Sequence, residues 1–232
     1  RVRSSAASDV YKRQNVLPAR CAMQGDTARS MAAALGRPGR AACVNIFLPC
    51  EVLHALNIPP VLPEGLSCYL VSTAAERGFV EAAEERGVPE ESYCSYHKIL
   101  LGLAETGVMA RPRFILNTSL ACDANQLTFR RLAEFWDVPR FTVDVPYAPS
   151  EESVAQVAEQ LRAMAAFVQA HGGRPLEEDA LRAAVARSRA TVEGYHRYLS
   201  LRAERSLSDE MTSEMLSVFA THSMLGLSLI HI

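Results

Sequence analysis

The sequence predicts an α/β protein: a doubly wound, mostly parallel sheet followed by an all-helical segment. Three observations carry this expectation. Between Ala41 and about Tyr147, short and almost continuously apolar runs alternate with helical stretches, and strands of that texture are covered on both faces, as in parallel sheets. Start and stop signals punctuate the helical stretches. After Pro149 the apolar period becomes helical throughout, with no further strand pattern.

The expected strands are CVNIFLP (43–49), SCYLVS (67–72), RFILNTS (113–119) and FTVDVP (141–146). Between the second and third, Thr73 and Glu76 have capping-box spacing and Gly87 offers a stop. A second helix is expected from about Ser95 to Gly107. A third runs from Asn125 to Trp136, with Leu127, Leu132 and Phe135, and is closed by Pro139. Residues 151–171 place Val154, Val157, Leu161, Met164 and Val168 on one stripe before Gly172-Gly173. A helix after Pro175 carries Leu181, Val185, Val192, Tyr195 and Leu199, and another is expected from about Ser208 with Met211, Met215, Leu216 and Phe219.

The two ends fit no neighbouring pattern. Residues 1–14, RVRSSAASDVYKRQ, and the last six, LSLIHI from Leu227, resemble translated adapter read-through and are set aside as non-native tails. The expected division is thus an α/β domain over 15–149 and a helical segment over 150–226. The natural chain is expected to continue beyond Gly226 into a C-terminal domain, and His231 carries no functional weight.

With 232 residues, 49% of them apolar, the chain can bury a sizeable core. A formal net charge of −2 gives no electrostatic case for nucleic acid or an anionic membrane. No apolar run is long enough to span a bilayer, so a cytoplasmic protein is expected. All six cysteines (Cys21, Cys43, Cys50, Cys68, Cys94 and Cys122) precede residue 123. No CxxC pair occurs, which removes zinc ribbons, thioredoxin-type redox motifs and ferredoxin-type cluster runs from consideration.

Three patches could carry chemistry. LPCEVLHALNIPPV (48–61) passes from a strand into a short helix at Cys50-Glu51. SYCSYHK (92–98) sets Cys94 at a helix mouth, and NTSLACDAN (117–125) sets Cys122 between a strand and a helix. Ligands of open α/β sheets bind beyond the carboxyl ends of the strands. Helix N-termini there favour the thiolate, the form that binds metal. The plain alternatives are packed thiols, above all for Cys43 and Cys68 inside strands, and a dipole-complementing Glu51. His97, three residues after Cys94, also leaves a Cys94/His97/Cys122 zinc site open.

In that order, the three patches resemble the 2-hydroxyacyl-CoA dehydratase and benzoyl-CoA reductase family. Pro49-x-Glu51, a short helix and Pro59-Pro60-Val61 are similar to its P-x-E-L-L-x-A-x-G-x-x-P signature, with Asn57 in place of the usual Gly. Cys94-Ser-Tyr-His-Lys with Leu101-Gly102 is similar to the first cluster-cysteine motif, and Asn117-Thr118-Ser119-Leu-Ala-Cys122-Asp123 to the second. The resemblance covers roughly residues 41–146.

The resemblance implies a [4Fe–4S] cluster held by three cysteines, here Cys94, Cys122 and a third downstream of both. No cysteine follows Cys122, so this sequence alone is expected not to hold a complete cluster. Cys50 is the reserve candidate. It further implies a homologous second subunit in a heterodimer, a separate ATP-dependent activator that delivers one electron, and an acyl-CoA substrate, as in anaerobic amino-acid fermentation. The 3-hydrogen of a 2-hydroxyacyl thioester is hardly acidic, so simple base-catalysed elimination is closed. A ketyl radical anion formed at the thioester carbonyl would let the 2-hydroxyl leave. An open iron would serve as Lewis acid and the cofactor would carry the electron. Glu51 is the candidate catalytic carboxylate. An aromatic-ring reductase of the same family, or a non-catalytic electron-transfer relative, are the alternatives.

Overall fold

A computed structural model describes residues 18–71, 74–120 and 122–204. Helix α1 (Pro18–Leu35) leads through a 3-10 turn (Pro38–Arg40) into strand β1 (Ala42–Val44), then α2 (Glu51–Ala55) and β2 (Pro60–Val61). Three helices follow, α3 (Pro63–Val71), α4 (Glu76–Glu85) and α5 (Ser95–Glu105), then β3 (Phe114–Thr118), α6 (Asp123–Trp136) and β4 (Arg140–Val143). Helices α7 (Glu151–Gly172) and α8 (Glu178–Glu204) complete the described chain. The four strands are all parallel, in the order β2-β1-β3-β4.

The pleat of the sheet divides the core into two layers. Ala42 and Val44 of β1 and Phe114 and Leu116 of β3 face α2 and α7, where Leu53, Leu56, Met164 and Val168 are buried. Cys43 and Ile115, one residue along, face the other way onto Ile99, Leu101 and Leu103 of α5 and Phe129 and Leu132 of α6. Helices on both faces of a parallel sheet make the doubly wound arrangement, and side-chain alternation along each strand produces it directly. The strand order reverses between β1 and β3, so the topological switch point lies at the carboxyl ends of those two strands.

The run 67–72, expected as a strand, is instead the end of helix α3 as far as Val71. A short apolar run does not distinguish a buried strand from a buried helix. Here Pro63 at the helix start and Glu64 in the first turn decide for the helix. The missing strand is β2, only two residues long, at the edge of the sheet where a proline is tolerated. Cys68 therefore lies on a helix and is half-buried. Thr73 of the expected capping box lies outside the described residues, and the N-cap position of α4 is Ala75, which makes no side-chain cap. The stripes on the last two helices are only partly buried. In α7 Met164 and Val168 are enclosed while Val154 is exposed. In α8 the buried positions are Ala184 and Thr191, whereas Val185, Val192 and Leu199 face outward. The helix expected from about Ser208 lies outside the described residues.

Other signals are realised as read. Gly87, Gly107 and Gly173 all have positive φ, and Ser150 caps α7 by accepting from the Ser153 amide at 3.0 Å. Asn57, at φ 54°, takes the left-handed conformation that its place after α2 demands. No described helix is long and apolar enough to cross a membrane.

Candidate functional site

Helices α2 and α6 follow β1 and β3, and α5 returns towards the start of β3, so all three begin at the carboxyl edge of the sheet. Cys94 is the N-cap residue of α5 and Cys122 that of α6, each with extended backbone. Both thiols are exposed and unbridged. The two helix starts are fastened together by Tyr93. Its hydroxyl donates to the Ala124 carbonyl at 3.2 Å and shares a 2.7 Å hydrogen bond with Thr128 Oγ1. The residue before Cys94 thus bonds the first turns that follow Cys122. Burial pushes the Tyr93 hydroxyl above its usual pKa; the Thr128 bond opposes this, and the charges of Cys122 and Cys94 add to the rise. Both thiols therefore lie within electrostatic reach of one phenol.

His97, on the first turn of α5, is buried, and its Nε2 lies 4.0 Å from Cys122 Sγ. Burial lowers its pKa, favouring the neutral ring. Next to it Lys98 is also buried, paired with Glu84 at 2.5 Å and donating to the Glu90 carbonyl, so it is committed to structure. Tyr96, one residue earlier, lies beside Cys68, and Cys94 also acts on it electrostatically.

The other candidates lie elsewhere. Cys43 is sealed in β1, its thiol pushed far up by burial. Cys50 is fully enclosed in the core on the α2/α7 face and donates to the Leu48 carbonyl at 3.4 Å. Burial, and secondarily the adjacent Glu51, raise its thiol well above the ordinary range. Such a thiol resists the deprotonation that ligation requires. Glu51 is half-buried on the first turn of α2. It leaves the same sheet edge as Cys122, but its helix packs on the opposite face.

Sequence reasoning missed a buried polar network at the switch point. Asn45, just past β1, donates to Thr118 Oγ1 at 3.2 Å and to Asn125 Oδ1 at 3.1 Å, while its own Oδ1 accepts from the Thr118 amide at 3.1 Å. Asn125, on the first turn of α6, donates onward to Glu64 Oε1 at 2.9 Å, which also accepts from the Ile46 amide at 3.3 Å. The network ties the end of β1, the end of β3 and the Cys122 helix to the start of α3. The only sequence cue was a polar residue directly after each apolar strand.

Glu64 has an unusual balance. Burial pushes its carboxyl up to about 7, outweighing the hydrogen bonds from its own backbone, Ile46 and Asn125 that favour the charged form. Its Oε2 is enclosed without a partner. A carboxyl whose folded pKa exceeds its unfolded value contributes stability that is intact below about pH 4.5 and lost as pH rises through about 7. Glu64→Gln keeps an acceptor for Ile46 and Asn125 but cannot ionise. Relative to this variant, the wild type is expected to lose up to about 3 kcal/mol between about pH 4.5 and about pH 8. The lowered pKa of His97 acts in the opposite direction but is common to both proteins, so urea unfolding midpoints at the two pH values isolate Glu64. Parallel pH profiles would show that the carboxyl is not held in this environment.

Among the described residues no group of three or more His, Cys, Asp or Glu side chains is placed to hold a metal ion. The thiols of Cys94 and Cys122 make no side-chain cap hydrogen bond at their helix starts, and thiols so placed suit part of a thiolate donor set.

Doubly wound α/β proteins bind their ligands at the carboxyl edge of the sheet, the edge from which Cys94 and Cys122 open their helices. The chain belongs to the 2-hydroxyglutaryl-CoA dehydratase D-component family, whose model matches residues 45–228. That stretch includes the P-x-E segment, both candidate cysteines, the switch-point network and the helices after Pro149. The chain is thus a component of a dehydratase of this kind, and a D-component implies a partner component. It matches none of the curated proteins.

Proposed function

We propose that the chain is an iron–sulfur subunit of a cytoplasmic 2-hydroxyacyl-CoA dehydratase, removing water from an (R)-2-hydroxyacyl-CoA after one-electron activation. The supporting observation is the pair of exposed, unbridged thiols of Cys94 and Cys122 at the starts of adjoining helices in a chain of the D-component family. Cys94 and Cys122 would hold a [4Fe–4S] cluster with a third thiolate from outside these 232 residues. When bound, the cluster would supply one-electron chemistry toward the thioester carbonyl of the substrate, the chemistry that a ketyl radical route to loss of the 2-hydroxyl requires.

The protein's contribution is electrostatic and positional. The free N–H groups at the starts of α5 and α6 put partial positive charge beside both sulfurs, stabilising thiolates and an anionic centre. Tyr93 links the two helix starts and the Asn45–Asn125–Glu64 network ties the start of α6 to the sheet, which would hold the two thiols in position for a metal centre. Glu51, which leaves the same edge of the sheet, would hold or deliver a proton at the substrate hydroxyl. A homologous second subunit would complete the site, and a separate ATP-hydrolysing activator would deliver the electron.

The direct test combines the full-length subunit with its partner, activator, ATP and a low-potential reductant under anaerobic conditions. Formation of the 2-enoyl-CoA from an (R)-2-hydroxyacyl-CoA is expected. Reduction of an aryl-CoA instead would assign the chain to ring reduction, and a bound cluster with no acyl-CoA turnover would make it an electron-transfer component. Within that assay Glu51→Gln is expected to lower kcat by about 10²-fold or more while iron content stays constant. Unchanged turnover would remove Glu51 from the mechanism.

A further inference from the structure

The geometry points to His97 as a positioning residue that donates an N–H···S hydrogen bond from Nε2 to Cys122, favouring its thiolate and tuning whatever centre that sulfur binds. The significance for a metal centre rests on the proposed cluster, whereas the hydrogen bond itself does not.

Three observations support it. His97 Nε2 lies 4.0 Å from Cys122 Sγ, at the long end of contacts to sulfur. The other ring nitrogen, Nδ1, is buried with no hydrogen-bond partner. A neutral ring has a single N–H, which on Nδ1 would be buried without an acceptor and on Nε2 meets the sulfur. A charged ring carries hydrogens on both nitrogens. In either state Nε2 bears a hydrogen directed at the sulfur. The third observation is that the ring is held: Tyr93 packs edge-on against it, with centroids 6.5 Å apart and planes at 79°. That same Tyr93 bonds the first turns of α6, so the imidazole and the sulfur are mounted on one fastened unit.

Among the described residues Cys68 meets the Tyr96 hydroxyl, whereas no such donor is described for Cys94, so the effect should distinguish Cys122 from Cys94. That selectivity is what a merely structural histidine would not produce. Glutamine places its amide nitrogen near the position of Nε2 and can donate, whereas leucine of similar bulk cannot.

The experiment uses the full-length subunit, first without metal. Limited alkylation with iodoacetamide at neutral pH, resolved by peptide mass spectrometry, compares Cys122 with Cys94 in the same molecule. In His97→Leu the alkylation rate of Cys122 is expected to fall about three- to tenfold relative to Cys94, and His97→Gln is expected to restore most of it. The second readout is the reduction potential of the loaded subunit. Loss of a hydrogen bond to a ligand sulfur is expected to make it more negative in His97→Leu but not in His97→Gln. Equal relative alkylation in all three proteins would overturn the inference. If alkylation responds as expected but the full-length subunit binds no cluster, the hydrogen bond stands and the cluster assignment fails. If a cluster is bound but neither alkylation nor potential responds, the cluster stands and the role of His97 fails. Circular dichroism of His97→Leu checks folding, and the donor-restoring glutamine variant supplies the contrast even if leucine perturbs packing.

Discussion

Replacing either Cys94 or Cys122 with alanine in the full-length subunit is expected to abolish stable cluster binding after anaerobic reconstitution with iron and sulfide. Iron content should fall from about four atoms per subunit to near zero, with loss of the charge-transfer absorption. The magnitude follows from the ligand count. A cluster held by three protein thiolates loses a third of its protein anchorage with each substitution. Both thiols are solvent-exposed in this chain, and exposure favours hydrolysis and oxidation of a cluster left on two thiolates. Cys43→Ala and Cys50→Ala serve as controls, because both thiols are buried among apolar side chains. They are expected to cost about 1–2 kcal/mol of stability and leave iron content unchanged. Residues 15–226 alone are expected to bind little stable cluster, since no cysteine after Cys122 is present to complete the set. A stoichiometric cluster there would place the third ligand among these residues. Cys68, half-buried beside Tyr96, would then be the first thiol to test, ahead of the sealed Cys50.

The placement of Cys94 and Cys122 at helix starts was legible because each follows a strand or loop and opens a helix; their exposure was not, since Cys50 holds the same kind of position and is buried. The strands β1 and β3 were legible because burial on both faces demands unbroken apolar runs such as Phe114–Leu116, and β4, a partly buried edge strand, because of its aromatic and β-branched residues. β2 was not, because a two-residue edge strand has no period to detect. The apolar run at 67–72 misled because neither its length nor its composition separates helix from strand, and the deciding residue, Pro63, lies outside it. The switch-point network was invisible for a different reason. Glu64 and Asn125 are 61 residues apart, and Asn45 and Asn125 are 80 apart, so their meeting is a product of topology. Read locally, Glu64 is an ordinary carboxylate at a helix start. Only the fold encloses it and makes it titrate near neutrality.

Gly102 marks another limit of local reading, and substituting it is expected to be among the most damaging single changes in the domain. It lies in the middle of α5, where alanine would normally stabilise a helix by about 1 kcal/mol. Here α5 crosses α4 so closely that a Cβ on Gly102 would stand 1.9 Å from the Phe79 carbonyl oxygen, 2.6 Å from its carbonyl carbon and 2.8 Å from its Cα. These are backbone atoms and cannot swing aside. The two helices would have to separate by about 1 Å or more, loosening the layer that contains Ile99, Leu101, Leu103 and Ala83. The expected cost of Gly102→Ala is about 3 kcal/mol or more after the propensity gain, enough to unfold a marginally stable domain. Gly78→Ala, on α4 with nothing within 4 Å of its added methyl, is expected to stabilise by about 0.5–1 kcal/mol. Urea denaturation of the two variants should therefore give shifts of opposite sign, and a Gly102→Ala cost below about 1 kcal/mol would refute the close crossing. The same displacement would carry the start of α5, and with it Cys94 and His97, away from Cys122. Any Gly102→Ala protein that still folds should consequently bind cluster poorly, even though its altered residue lies about two turns along α5 from Cys94.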